Sequence, residues 1–157
     1  MTAVVRTLRL RKERNAKCGE EMMGGMLDHV EEVVLAVNDQ DEAVALFEEL
    51  FGLELNKSWT VPMDSMKVKC AMVGDTQLHI VAATSPDTLV DKFIKERGEG
   101  IHHIAFSVND LDAVISRLKK LGVQLVPERP RAGREGARYI FVHPKSVHGL
   151  LIELIER

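Results

Sequence analysis

Past residue 30 the chain repeats itself, and this repeat restricts the folds open to it more than any other feature. The segment Glu32-Val33-Val34-Leu35-Ala36-Val37-Asn38-Asp39-Gln40-Asp41 recurs as His103-Ile104-Ala105-Phe106-Ser107-Val108-Asn109-Asp110-Leu111-Asp112. Each copy opens on an apolar, β-branched run that reads as a buried strand. Asp39 is placed to cap a following helix, with Glu42 completing a capping box. Val44, Phe47, Leu50 and Phe51 recur at helical spacing and give that helix an apolar face. In the second copy Leu111, Val114, Ile115, Leu118 and Leu121 do the same. Gly52 and Gly122 sit where each helix should end in the left-handed conformation.

Short strand patterns follow at 53–60, 67–73 and 77–82, and again at 123–127, 137–142 and 150–155. A linker helix is expected over 86–97, with Ser85 as its cap, Pro86 in its first position and Gly98 beyond its end. Leu89, Val90, Phe93 and Ile94 are its core-facing residues. The expected fold is α+β: a single domain over 26–157 made of two tandem βαβββ modules, 30–84 and 99–157, whose eight strands curl into a cup. A ferredoxin-like sandwich is the alternative, but it expects βαββαβ.

With 157 residues, 45% apolar and 29% charged, the composition is that of a soluble globular chain. A formal net charge of −3 gives no basic surface for nucleic acid. No apolar run approaches the roughly 20 residues of a membrane helix. Cys18 and Cys70 are far apart and form no CxxC pair, so a reducing, cytoplasmic setting is expected. Residues 1–25 are read as a flexible basic tail, with Arg6, Arg9, Arg11, Lys12, Arg14 and Lys17 set against Glu13, Glu20 and Glu21. A start at Met22, Met23 or Met26 is part of that reading. An Arg-rich transit peptide is the alternative, disfavoured by the three acids and the lack of serine, and no apolar stretch of a secretory signal follows the basic residues.

Four ionisable residues interrupt the apolar strands: Glu32, His79, His103 and Glu153. Glu32 and His103 hold the same place in the first strand of each copy, and His79 and Glu153 the same place in the last. A pseudo-twofold relation would bring all four to one point. A buried carboxylate or imidazole is costly unless it is paired or bound to a cation, and two of each suit Zn²⁺, Co²⁺, Ni²⁺, Mn²⁺ or Fe²⁺. Taken singly, a strand Glu is ordinarily solvent-facing and a strand His a satisfied core residue; four at matched positions argue for a metal. Other histidines carry less. His29 matches Gly100 in the second copy, His102 should face the side of its strand opposite His103, and His143 and His148 flank the last strand.

Gly98-Glu99-Gly100-Ile101-His102-His103-Ile104-Ala105-Phe106 and Phe141-Val142-His143-Pro144-Lys145-Ser146 resemble the methylmalonyl-CoA epimerase branch of the vicinal oxygen chelate (glyoxalase/bleomycin-resistance) superfamily. So do Val73-Gly74-Asp75-Thr76, Ser85-Pro86-Asp87 and Gly149-Leu150-Leu151-Ile152-Glu153-Leu154, and the resemblance runs from 30 to 156. It implies one divalent metal chelating a malonyl-type acyl-CoA, a metal-stabilised enolate, carboxylates that move the α-proton, and a homodimer. His103 and Glu153 match family ligands. The family usually has His where this chain has Glu32, and Glu or Gln where it has His79. Choosing His29 instead of Glu32 would need a three-residue insertion. The family's proton-transferring Glu, in Val-Pro-Glu, falls on Val61-Pro62-Met63. Glu153 is therefore the expected acid/base, with Asp64 second; as part of a strand, Asp64 would turn to the other face. Lys145 is a candidate contact for CoA phosphate. The alternatives are a glyoxalase-I-like lyase acting on a thiol hemithioacetal and a metal-free, ligand-sequestering protein of the bleomycin-resistance type.

Overall fold

A computed structural model describes residues 25–157; the tail expected over 1–25 lies almost wholly outside them. The strands and helices of the described residues, α2 and three short 3-10 turns apart, fall into two rounds of one pattern. The first is β1 (Val30–Ala36), α1 (Gln40–Phe51), β2 (Lys57–Val61), β3 (Met66–Val73) and β4 (Thr76–Ala83). After α2 (Leu89–Arg97) come β5 (Gly100–Ser107), α3 (Leu111–Lys120), β6 (Leu125–Ala132), β7 (Arg138–Val142) and β8 (Ile152–Glu156). This is the expected βαβββ order, twice. The eight strands form a mixed sheet in the order β2-β3-β4-β1-β5-β8-β7-β6. By contacts the chain divides into two compact units, Val30–Ala105 and Phe106–Arg157, the latter with residues up to His29. Among the described residues no helix is long and apolar enough to cross a membrane.

In the unit Val30–Ala105, β1 lies parallel to β4, with Glu32 opposite Gln77 and Val34 opposite His79. β3 runs antiparallel to both β2 and β4. Strand alternation then sorts the side chains. Leu35, Ala71 and Ile80 face α1, where Val44 and Phe47 cover them. Val34, Ala36, Val68 and Val81 face the opposite way, against Val90, Phe93 and Ile94 of α2. Each large apolar side chain so buried contributes about 1.5–3 kcal/mol. Glu32 and His79 are in phase with Val34 and Val81, so their side chains leave the sheet on the face that α2 only partly covers. Gln40, a buried polar residue, is satisfied by donating from Nε2 to Ile80 O at 2.7 Å and Lys67 O at 3.2 Å.

Asp39 caps α1, its Oδ1 accepting from the backbone N–H of Asp41 and Glu42, and Gly52 ends it at φ 65°. Gly122 takes φ 76° just past α3. The apolar face of α1 is narrower than its sequence spacing indicates: Leu50 is 61% and Phe51 65% exposed. Strand β2 begins at Lys57, not at 53, because Leu53 and Leu55 leave sheet geometry to pack beneath α1. The linker helix also starts later than expected. Asp87 adopts φ 60°, breaking the chain direction, and Thr88 caps the helix, Oγ1 accepting from Asp91 N at 3.1 Å. Leu89 is consequently 64% exposed instead of facing the core.

In the other unit, Leu111, Val114 and Ile115 of α3 pack on Ile140, Val142 and Leu154. β6 runs to Ala132, past the expected end at 127, by means of a register shift against β7 between Val126 and Arg131. Arg138 bonds both oxygens of Asp112 and reaches Glu156 Oε2 at 3.2 Å, while Glu156 Oε1 accepts from Leu111 N. The last strand is thereby tied to the start of α3. Replacing Asp39 by Ala leaves two N–H groups of α1 without their acceptor; it should lower unfolding free energy by about 0.5–2 kcal/mol, read from the urea midpoint at unchanged slope.

Candidate functional site

The site in the unit Val30–Ala105 starts from strand pairing. Glu32 and His79 lie two registers apart on paired parallel strands and project from one face. His79 Nδ1 sits 3.5 Å from Glu32 Oε2, with the Glu32 side chain only 12% exposed and His79 buried. His79 Nε2 lies 3.2 Å from Gln77 Oε1, and the Trp59 ring meets the imidazole edge to face at 5.1 Å. Gln77 is held in turn, Nε2 donating to Glu31 Oε1 and Oε1 accepting from Cys70 Sγ. That arrangement leaves the carbonyl of Gln77 able to accept an Nε2–H of His79. A neutral ring so arranged presents a lone pair at Nδ1 to a carboxylate oxygen. Two acceptors at that distance in a dry setting call for a positive charge between them, a proton or a metal ion. Ligand atoms about 2.1 Å from one ion at tetrahedral angles lie about 3.4 Å apart, so the pair has the separation that a shared cation needs.

His103, on β5, is buried, and burial pushes it down to about 4; the negative charge of Asp64 opposes the shift. His102 is also driven down to about 4, by burial first and then by His103 and Arg97, again opposed by Asp64. Both rings are neutral at neutral pH, the form that ligates a metal. Their Nδ1 atoms lie 2.8 Å apart. The expected separation of the two rings by strand alternation does not hold at ring level, because His102 leans between Phe93, at 4.9 Å, and His103, at 5.1 Å.

Asp64 differs instructively from its expected geometry. The strand ends at Val61, and Pro62–Asp64 form one 3-10 turn closed by Ser65 at φ 47°. Strand alternation no longer applies. Met63 is the residue turned outward, at 76% exposure, whereas Asp64 is partly buried and its charge acts on both His102 and His103. His29 has an exposed side chain, its Nδ1 2.9 Å from Asp28 Oδ2.

In the unit that contains Phe106–Arg157, Glu153 is buried on β8. It pairs across the sheet with Phe141 and projects opposite Leu154, away from the α3 core. Lys145 is exposed in the short turn after β7, its N–H donating to His143 Nδ1 at 3.1 Å. Sequence reasoning missed Gln77 and Trp59 as partners of His79. Gln77 carries a usable signal, since it lies two places before His79 on the same strand and hence on the same face.

Residues 31–141 match the family described as Glyoxalase/Bleomycin resistance protein/Dioxygenase superfamily. Among curated proteins, an ethylmalonyl-CoA/methylmalonyl-CoA epimerase of Cereibacter sphaeroides is 30% identical over 134 residues, covering 84% of this chain and 98% of that protein. A methylmalonyl-CoA epimerase from Mycobacterium tuberculosis superposes with a TM-score of 0.78 at 32% identity, over 87% of this chain and 93% of the other. A Streptomyces coelicolor methylmalonyl-CoA epimerase variant in complex with 2-nitronate-propionyl-CoA gives 0.77 at 29%, over 83% and 94%.

The depressed His103 pKa has a consequence for the metal-free protein. Between the free value of 6.5 and about 4 the unfolded chain binds the proton that folded His103 refuses. Stability is therefore full above the free value and declines as pH falls through that window. Urea midpoints measured from neutral pH to about pH 4 should drop, and the drop should be shallower in His103→Asn.

Proposed function

The chain belongs to the Glyoxalase/Bleomycin resistance protein/Dioxygenase superfamily, and from that membership we propose that it is an isomerase moving the α-proton of a malonyl-type acyl-CoA, in the manner of methylmalonyl-CoA epimerase. The observation that carries this reading is the match over 98% of the length of the Cereibacter sphaeroides epimerase.

The donor set we propose for one divalent ion is Glu32, His79, His103 and Glu153. Its support lies in chemistry and burial. Each is an ionisable side chain largely withdrawn from solvent within its own unit, and His79 adjoins Glu32. Their mixture of imidazole and carboxylate suits Co²⁺, Zn²⁺, Ni²⁺, Mn²⁺ or Fe²⁺ without choosing among them. When bound, such an ion acts as a Lewis acid towards the thioester oxygen on which charge develops.

The remaining work falls to side chains. Removing the α-proton needs a base, and inverting the centre needs a second group on the other face, or the same base after the carbon skeleton turns. Glu153 and Asp64 are assigned these parts. The charge of Asp64, on its 3-10 turn, acts on the imidazoles of His102 and His103, and on this reading Asp64 takes the part that the resemblance assigns to the place of Met63. Lys145, exposed and cationic, is assigned to the CoA phosphates. A homodimer and a cytoplasmic setting complete the proposal; the buried thiol of Cys70 fits a reducing compartment. Met63 in the place of the family's Glu is what keeps a glyoxalase-I-like lyase as the second reading.

Exchange of the α-proton of methylmalonyl-CoA in deuterium oxide tests this directly. Metal-loaded protein should catalyse it, and Glu153→Gln and Asp64→Asn should each slow it by the ~10²–10⁴-fold typical of general acid–base groups. Met63→Glu should restore part of the loss in the Asp64→Asn background. No exchange by metal-loaded wild type, with turnover of a hemithioacetal instead, would replace the epimerase with the lyase. Neither activity, with a tightly held organic ligand and no metal, would leave a sequestering protein.

A further inference from the structure

We propose that His102 sets the tautomer of His103, holding the His103 proton on Nδ1 so that Nε2 is the nitrogen presented to the cation. The inference rests on the reading of His103 as a metal ligand, and its geometry lies wholly within the unit Val30–Ala105.

Two ring nitrogens 2.8 Å apart must be one donor and one acceptor. Only two neutral arrangements satisfy this. If His102 donated, the His103 proton would sit on Nε2, and His103 would have no lone pair left for an ion, since Nδ1 would be accepting. If His103 donates from Nδ1, its Nε2 lone pair becomes the ligand atom, and the His102 proton moves to its own Nε2. Only the second arrangement leaves His103 a lone pair for an ion, and it is the one assigned to the metal-free chain as well. It is the role that carboxylates and backbone carbonyls ordinarily fill beside metal-bound histidines, fixing the tautomer and the ring orientation.

His102 is built to hold that position. Its ring packs edge to face on Phe93, with centroids 4.9 Å apart, and the Arg97 guanidinium lies 5.9 Å from the centre of the Phe93 ring. Phe93 is itself packed into the core beneath α2. The acceptor nitrogen is therefore anchored to the linker helix and not left to a mobile side chain. His102 is a positioning residue: it acts on the site through His103.

The test uses the full chain, metal-free, with ¹⁵N-labelled histidine, and reads each ring by long-range proton–nitrogen correlation at neutral pH. The expected result is Nδ1–H on His103 and Nε2–H on His102. His102→Phe keeps a ring against Phe93 and removes the acceptor. In it His103 should shift to Nε2–H, the form a free imidazole prefers, and the dissociation constant for Zn²⁺ or Co²⁺ should rise by about 10–100-fold. His102→Asn returns an acceptor oxygen near the former Nδ1 and should recover the Nδ1–H form and most of the affinity. Nε2–H on His103 in the wild type, or an unchanged His103 tautomer in His102→Phe, overturns the proposal. A wild-type protein that shows the expected tautomers but binds neither metal would overturn the metal reading instead, while upholding the control of His103 by His102.

Discussion

Everything at the site depends on one constraint: a carboxylate and an imidazole meet where water is scarce. Glu32 and His79 are placed 3.5 Å apart by the parallel pairing of β1 with β4, and they cannot be moved apart without breaking that register. Buried ionisable groups are tolerated only when matched by charge or hydrogen bonds. Here the carboxylate of Glu32 lies at one nitrogen of His79 and Gln77 at the other, with the Trp59 ring packed on the imidazole. The buried strand positions in this unit are mainly apolar, and α1 and α2 cover them on opposite faces. The fold thus acts as a dry frame around a few polar atoms and holds them in an arrangement that water would dissolve.

Much of this frame is legible in the sequence, because the repeat doubles every signal. The Val-Asn-Asp mark, the glycines after α1 and α3 and the two apolar faces identify a module before any strand is assigned. Glu32, His79, His103 and Glu153 then stand out as polar residues in apolar runs, at positions that the repeat matches. What the sequence does not reveal is local and has physical causes. Ser85-Pro86 looks like a helix start, yet Thr88 wins because Asp87 takes a left-handed conformation ahead of it. Leu50 and Phe51 have helical periodicity but sit at the end of α1, beyond the reach of the sheet. Val126-Pro127 looks like a strand end, and the strand resumes after a shift in register.

The histidine pair shows the limit of periodicity most directly. Alternation sends adjacent strand residues to opposite faces, and that rule holds at Cβ. It does not hold two bonds further out, at Nδ1, where the ring of His102 turns back to His103. The shared environment of the two rings, both neutral and both under the field of Asp64, follows from that turn.

The 3-10 turn at Pro62–Asp64 bears on how chemistry of this kind is inherited. Along a strand, shifting a functional group by one residue reverses its direction, and the group is lost to the site. Along a helix with three residues per revolution, the same shift rotates it by about a third of a circle, as Met63, turned outward, and Asp64, partly buried, show here. A carboxylate carried on such a turn is free to drift between adjacent codons while the scaffold around it stays fixed. On the role proposed for Asp64, what descent would preserve is a location in space and not a column in an alignment. A motif that demands an acid immediately after the proline will pass over relatives that have kept the function one step along.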